Sequence, residues 1–408
     1  MRTEMLAVGA LCLVLVPAAH GQGLYLSSRA APEAAPPVTA TDEEQDAAEK
    51  GGGVDIRWED GKTRIDMDSA GLELSNRIQF GFVYEDPDDS VRLPGTSGPG
   101  EGKPSFKIRR AKTTLEGWFW KPELTFEVQL TWAGAEEGNS NARNIEDLYL
   151  NWDASKTEAF QIKFGQYKVP FGRQLLTTSI GLEFVDRSIL AGEFTRGRDV
   201  GLQVWGRLAD KKVDYYVGMF NGNNTGLNSN ANTKFQYNAR LMFQPFGNLR
   251  YSEGDFESTD KPLLAVAGQF ESNDRTGTSL GIGGQAPTDF NDTILSGDVA
   301  FKYRGLFLFG EYFARNRAPR EGQEFDSNGY NMQAGYFLKR NVLEVALRYA
   351  AYDPTALIDD NDVSEKGIAL SYFIRGHRMK VQGDWRQIED EGRSTKHREV
   401  RIQTYVQF

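Results

Sequence analysis

Residues 165–201 carry one lysine and four arginines, Lys168, Arg173, Arg187, Arg196 and Arg198, in a stretch without regular alternation. Guanidinium and ammonium groups gathered in this way stabilise an anion as it sheds water, and arginine's planar fork suits phosphate oxygens. A site that must also release its ion has to bind weakly and at several points. Arg110 and Lys112, two residues apart, extend the candidate set. Glu183, Asp186, Glu193 and Asp199 are interleaved with the loop's arginines. Pairs such as Arg187 with Asp186, or Arg198 with Asp199, would give those charges a purely structural use. Seven apolar residues (Phe171, Leu175, Leu176, Ile180, Phe184, Ile189, Leu190) argue against disorder, and ordered loops of this length are usually functional.

Other chemistry finds little support. His377 falls in an expected tight turn and His397 at the start of the last strand, with no Ser/His/acid arrangement and no His/Cys metal spacing. Asp359, Asp360, Asn361 and Asp362 lack the EF-hand spacing and its glycine. The run GTSLGIGG at 277–284 lacks the Gly-Lys-Ser/Thr ending of a phosphate loop. The expectation is a non-enzymatic chain with no cofactor and no metal.

The elements that must hold the basic stretch show a period of two. Leu72, Leu74, Ile78, Phe80, Phe82 and Tyr84 alternate with Glu73, Ser75, Arg77 and Gln79. The pattern returns in Leu124/Phe126/Val128/Leu130/Trp132, Leu148/Leu150/Trp152, Leu343/Val345/Leu347/Tyr349 and Val400/Ile402/Val406/Phe408. Such segments are strands with one apolar and one polar face. Sixteen are expected, near 72–84, 106–120, 123–133, 145–153, 159–167, 199–208, 212–220, 234–244, 262–271, 293–303, 305–315, 328–338, 341–352, 365–375, 378–388 and 398–408. Tight connections alternate with longer ones rich in Gly, Asn and Asp. The exception is 247–261, long where the alternation asks for a tight turn. An even number of roughly ten-residue strands with this asymmetry is the pattern of an outer-membrane barrel, with its apolar face toward lipid and its polar face toward the lumen. By alternation Arg110 and Lys112 share the polar face with Thr114 and Glu116.

The first residues, MRTEMLAVGALCLVLVPAAHGQG, read as a secretory signal peptide over 1–21. The single cysteine, Cys12, lies within it, so no disulfide is expected afterwards. Residues 22–70 form an Ala/Pro/Glu-rich flexible segment with a small hairpin around Asp60-Gly61, and 71–408 form the barrel domain. A net charge of −10 argues against nucleic acid as a partner. It does not fix the charge of a lumen.

Three sets of residues resemble the phosphate-selective porin O/P family: 106–111 (FKIRRA) with 147–150 (DLYL), 165–172 (GQYKVPFG) with Arg187-Ser188, and 198–201 (RDVG) with 216–222 (YVGMFNG). The resemblance spans 71–408 and rests on topology in its second half. It implies an all-β transmembrane antiparallel barrel of about sixteen strands whose long third extracellular loop folds into the pore. It further implies a homotrimer in outer-membrane lipid and lipopolysaccharide that passes small phosphate-like inorganic anions. Arg109 and Arg110 match the family's arginine pair and Lys168 its constriction lysine. Two alternatives stay open, a general or cation-tolerant porin and a non-conducting barrel acting as adhesin or envelope anchor.

Overall fold

The computed structural model describes residues 54–133, 145–223, 229–249, 251–278 and 288–408. Part of the glycine-rich run at 277–284 lies outside them, as do residues 1–53. A short hairpin comes first, β1 (Asp55–Glu59) and β2 (Lys62–Met67). The next strands are β3 (Ala70–Asp86), β4 (Lys103–Phe119), β5 (Lys121–Ala133), β6 (Ile145–Asp153) and β7 (Gln161–Lys168). After a long connection come β8 (Arg198–Leu208), β9 (Val213–Phe220), β10 (Gln236–Phe243) and β11 (Leu263–Thr278). They are followed by β12 (Thr288–Tyr303), β13 (Leu306–Pro319), β14 (Phe325–Lys339) and β15 (Leu343–Asp353). The last three are β16 (Val363–Phe373), β17 (Met379–Asp390) and β18 (Thr395–Gln407).

Each strand from β3 to β18 is antiparallel to the next, and β18 pairs with β3 from Arg398↔Asp86 to Gln407↔Arg77. Sixteen strands therefore close on themselves, at the positions the alternation marks. Closure leaves no edge whose N–H and C=O groups would meet hydrocarbon unpaired. The two faces are inverted relative to a water-soluble protein. Phe80, Phe164, Leu241, Leu295, Met332 and Leu347 are exposed, whereas their sequence neighbours Gln79, Arg240, Ser296, Gln333 and Arg348 are buried.

At one end of the barrel the connections are short. Trp120 alone links β4 to β5, and 304–305 link β12 to β13. Trp120, Asp210, Arg304 and Asn341 hold positive φ there, the backbone that tight hairpins require. The connection 244–262 lies at this same end and is far longer than its neighbours.

The hairpin β1–β2 completes the seam. β2 pairs with β3 from Met67↔Ala70 to Thr63↔Leu74, directly beyond the point where Phe408 exchanges backbone hydrogen bonds with Asn76 at 2.7 and 2.9 Å. One flank of β3 is thus shared by β18 and β2, and the part left over by β18 is covered. Lys62 fixes the hairpin by donating to Glu73 at 2.5 Å and Glu116 at 2.7 Å.

The β3–β4 pair approaches closely at Gly117, where an added Cβ would stand 2.0 Å from the Gly71 carbonyl oxygen. Backbone on both sides cannot yield cheaply, and overpacking of this kind costs about 1–3 kcal/mol. Gly117→Val is expected to lower the temperature at which the compact, unboiled species converts to the slower form on gels, while Gly268→Ala, with open space around it, leaves that temperature unchanged.

Candidate functional site

Residues 169–197, between β7 and β8, contain only short helical pieces, α1 (Arg173–Leu176), a 3-10 turn (Ser179–Gly181) and α2 (Ile189–Phe194). Irregular backbone of this length has many amide groups without partners, and burying them unpaired is costly. Inward-facing side chains of the barrel supply the partners. Gly172 N donates to Gln269 Oε1 at 2.9 Å, Arg173 N to Glu311 Oε1 at 2.5 Å, Val185 N to Asp384 Oδ2 at 2.9 Å and Ile189 N to Glu365 Oε2 at 3.0 Å. In the opposite sense, Lys380 donates to Leu182 O at 2.9 Å, Gln382 to Glu183 O at 2.6 Å and Arg348 to Asp186 O at 3.1 Å. These partners come from β11, β13 and β15–β17, so the segment lies along the inner wall of that half. Its apolar residues pack there as well: Phe194 stacks on Phe313 at 5.2 Å, and Phe184 sits beneath the Arg348 guanidinium at 4.0 Å.

The long connection 244–262 enters from the short-turn end and meets this segment. Glu253 N donates to Gly181 O at 2.7 Å. The Glu253 carboxylate accepts from Gln174 Nε2 at 3.0 Å, Glu183 N at 2.9 Å and Gln333 Nε2 at 2.8 Å. Leu249 O accepts from Arg173 at 3.3 Å, and the Tyr251 ring lies 4.9 Å from that guanidinium. Burial, reinforced by Glu344 and Glu253, raises the Glu183 carboxyl well above the usual carboxylate range. The two inserts bury the inward residues of the wall behind them, including Arg240, Glu311, Asn331, Arg348, Glu365 and Lys380.

What remains is a cavity of about 510 Å³ along β3–β9. Nine cationic side chains line it, Lys62, Arg77, Arg110, Lys112, Lys163, Lys168, Arg187, Arg198 and Arg207, against three acidic ones, Glu116, Glu127 and Asp147. Including Arg109 and the acids paired with lining cations, Glu73, Glu146, Glu158, Asp186 and Asp214, ten cations face eight carboxylates. The wall is therefore positive although the whole chain is acidic.

Five of the seven candidate residues meet at this cavity. Arg110 donates to Gln79 Oε1 at 3.0 Å and to Asp186 at 3.3 Å. Lys112 pairs with Glu146. Lys168 donates to Leu175 O at 2.6 Å, and Arg187 donates to Gln174 O at 2.9 Å and Thr177 O at 2.8 Å. These carbonyls close the C-terminal end of α1, where helix carbonyls lack intrahelical partners. Arg198 grips Asp147 through two nitrogens, at 3.0 and 2.8 Å, and reaches Glu146 at 3.3 Å.

The other two lie elsewhere. Arg173 is buried against Met242, Leu249 and Tyr251, and Arg196 pairs with Asp292 at 2.5 Å and Glu271 at 3.4 Å. Arg187 N donates to Asp186 Oδ1 at 3.1 Å, and the loop's charges also reach partners distant in sequence. Asp186 takes Arg109 and Arg110 from β4. Burial alone would push its carboxyl up, but Arg110, Arg109 and Arg401 outweigh burial and hold it far below the usual range. Arg109 and Arg110 both reach Asp186 because the register of β3 against β4 slips there: Gln79 faces Arg110 and Phe80 faces Ile108. That bulge turns a residue destined for the outer face inward.

Arg77, Lys163 and Arg207 escaped selection as candidates, although parity places each on the polar face of its strand. Among the described residues, Glu85, His397 and Glu399 form a group with metal-ligand spacing at the loop end of the β18–β3 seam. Glu399 there already pairs with Arg386 at 2.7 Å and Arg401 at 3.6 Å.

Residues 89–385 match the sequence family described as phosphate-selective porin O and P. An uncharacterized protein of Aquifex aeolicus (strain VF5) is 22% identical over 346 residues, 76% of this chain and 79% of that protein. Among solved structures, the anion-selective porin from Comamonas acidovorans superposes with a TM-score of 0.59 at 11% identity, over 83% of this chain and 100% of that one. The outer membrane channel DcaP of Acinetobacter baumannii gives 0.58 at 12% identity, over 83% and 98%. The trimer form of OmpT from Vibrio cholerae gives 0.54 at 10%, over 84% and 100%.

Glu253 joins the two inserts through charge-assisted hydrogen bonds, each worth about 1.5–3 kcal/mol. Glu253→Ala is expected to replace a steady single-channel current by flicker among larger substates, and Glu253→Gln, which keeps a carbonyl acceptor, to be quieter. A Glu253→Ala trace as steady as the parent's would show that the inserts hold without this contact.

Proposed function

Because the chain belongs to the phosphate-selective porin O and P family, we propose that it forms a passive, water-filled channel in the bacterial outer membrane for small anions, phosphate among them. Residues 1–21 direct its export, and the working form is a trimer embedded in outer-membrane lipid and lipopolysaccharide.

The observation that carries anion preference is the excess of nine cations over three acids around the cavity. Low-dielectric walls focus the field of such a lining, so anions concentrate inside and cations are depleted. Arg187, held by backbone carbonyls, bears on the passing ion from the insert, while Lys168 at the end of β7, held by a carbonyl of the insert, and Arg110, Lys112 and Arg198 bear on it from the wall. Each offers a partial replacement for hydration. Shared partners such as Glu146 and Asp147 keep any one site from holding the ion too tightly.

In a planar bilayer under a tenfold KCl gradient, the reversal potential is expected to carry the sign of chloride selectivity, and millimolar phosphate to reduce the chloride current. Lys163→Glu should lower the chloride-to-potassium permeability ratio several-fold. A cation-selective reversal potential in the parent protein would refute the anion reading. A chloride current that phosphate leaves untouched would remove phosphate from the permeants.

A further inference from the structure

The passage has a second lining besides its cations. Trp205 and Tyr216, direct partners across β8 and β9, stack with centroids 5.8 Å apart and ring planes 2° apart. Lys163 reaches among the rings, 4.1 Å from the Tyr149 centroid and 5.6 Å from that of Trp205. All four side chains line the cavity. They differ from the rings of the packed half: Phe171, Phe194 and Phe313 are fully buried, whereas Tyr149, Trp205 and Tyr216 remain partly exposed. The polar tips are tied back into the wall, Trp205 Nε1 to Asn151 Oδ1 at 2.8 Å and Tyr149 OH to Glu127 at 2.7 Å. What they leave for the passage is ring surface beside an ammonium.

Chloride and inorganic phosphate gain nothing from such a surface. Wetted carbon contributes favourably only when apolar matter covers it, and rings prefer stacked or edge-on partners. A binding place that is mostly apolar with one well-placed charge is the usual arrangement for an organic ligand. Resting on the anion-channel reading above, we propose that the passage favours anions carried on a ring, a phosphate or carboxylate on a sugar or aromatic ring. The charged group rides on Lys163 while the ring slides across Trp205 and Tyr216. The cations of the insert then serve as the next stations along the path.

The test compares phenyl phosphate with methyl phosphate, which share a headgroup and differ by the ring, as blockers of chloride current through the full-length protein in planar bilayers. Phenyl phosphate is expected to halve the current at a concentration about two- to tenfold lower, the range expected for one favourable ring contact. Trp205→Ala, or Tyr216→Leu if the former does not assemble, should bring the two compounds together without moving the reversal potential. An anion-selective channel that both compounds block equally overturns the ring preference and leaves the anion-channel reading standing. A cation-selective channel overturns both.

Discussion

Nearly thirty residues of irregular backbone cannot lie inside a barrel unless the wall supplies hydrogen bonds. Here the wall does so with side chains: Gln269, Glu311, Glu365 and Asp384 accept from the segment's amides, and Arg348, Lys380 and Gln382 donate to its carbonyls. An inner face that would otherwise need only water becomes a template for one particular chain path. The second insert works in the reverse sense with its own side chains: Glu253 accepts from Glu183 N at 2.9 Å and Gln333 Nε2 at 2.8 Å, and Asp255 from Gly305 N of the β12–β13 turn at 2.7 Å. Each insert depends on the other at Glu253.

This constraint also sorts the charges. On the packed half, four acids are matched with arginines, Asp298 with Arg240 at 2.6 Å, Asp292 with Arg317 at 2.6 Å, Glu365 with Arg348 at 3.1 Å and Asp384 with Arg401 at 2.7 Å, while Glu183, Glu253 and Glu311 accept from amides. Removing one member of such a buried pair costs about 3–5 kcal/mol, so these acids are committed to structure. The open half keeps a surplus of cations. A chain of net charge −10 can therefore present a positive passage, because total charge is not the charge at the cavity.

The strands were legible because a hydrocarbon-facing sheet leaves a period of two, which the barrel strands follow except where bulges interrupt it. The inward parity of Arg110 and Lys112 was legible for the same reason, as was that of Lys163 and Arg207, had parity been followed through every strand. Arg109 was not, because a bulge reverses parity at one residue and leaves no compositional mark. Nor were the destinations of Arg173 and Arg196. Both lie within a few residues of cavity-lining cations, yet irregular backbone turns them toward Tyr251 and Asp292. Connection 244–262 was visible as an anomaly of length, but length alone does not say that a turn folds inward. The pairing of Arg198 with Asp147 spans 51 residues and follows only from β6 and β8 flanking β7.

The central claim is that the two inserts fill one half of the lumen and leave a positively lined passage on the other. Anomalous diffraction from crystals soaked in bromide tests it directly. Bromide peaks are expected along β3–β9, beside Lys163, Lys168, Arg187 and Arg198, and none among the inward residues of β11–β17. Peaks spread through the β11–β17 half, or a passage along β3–β9 without any, would contradict it.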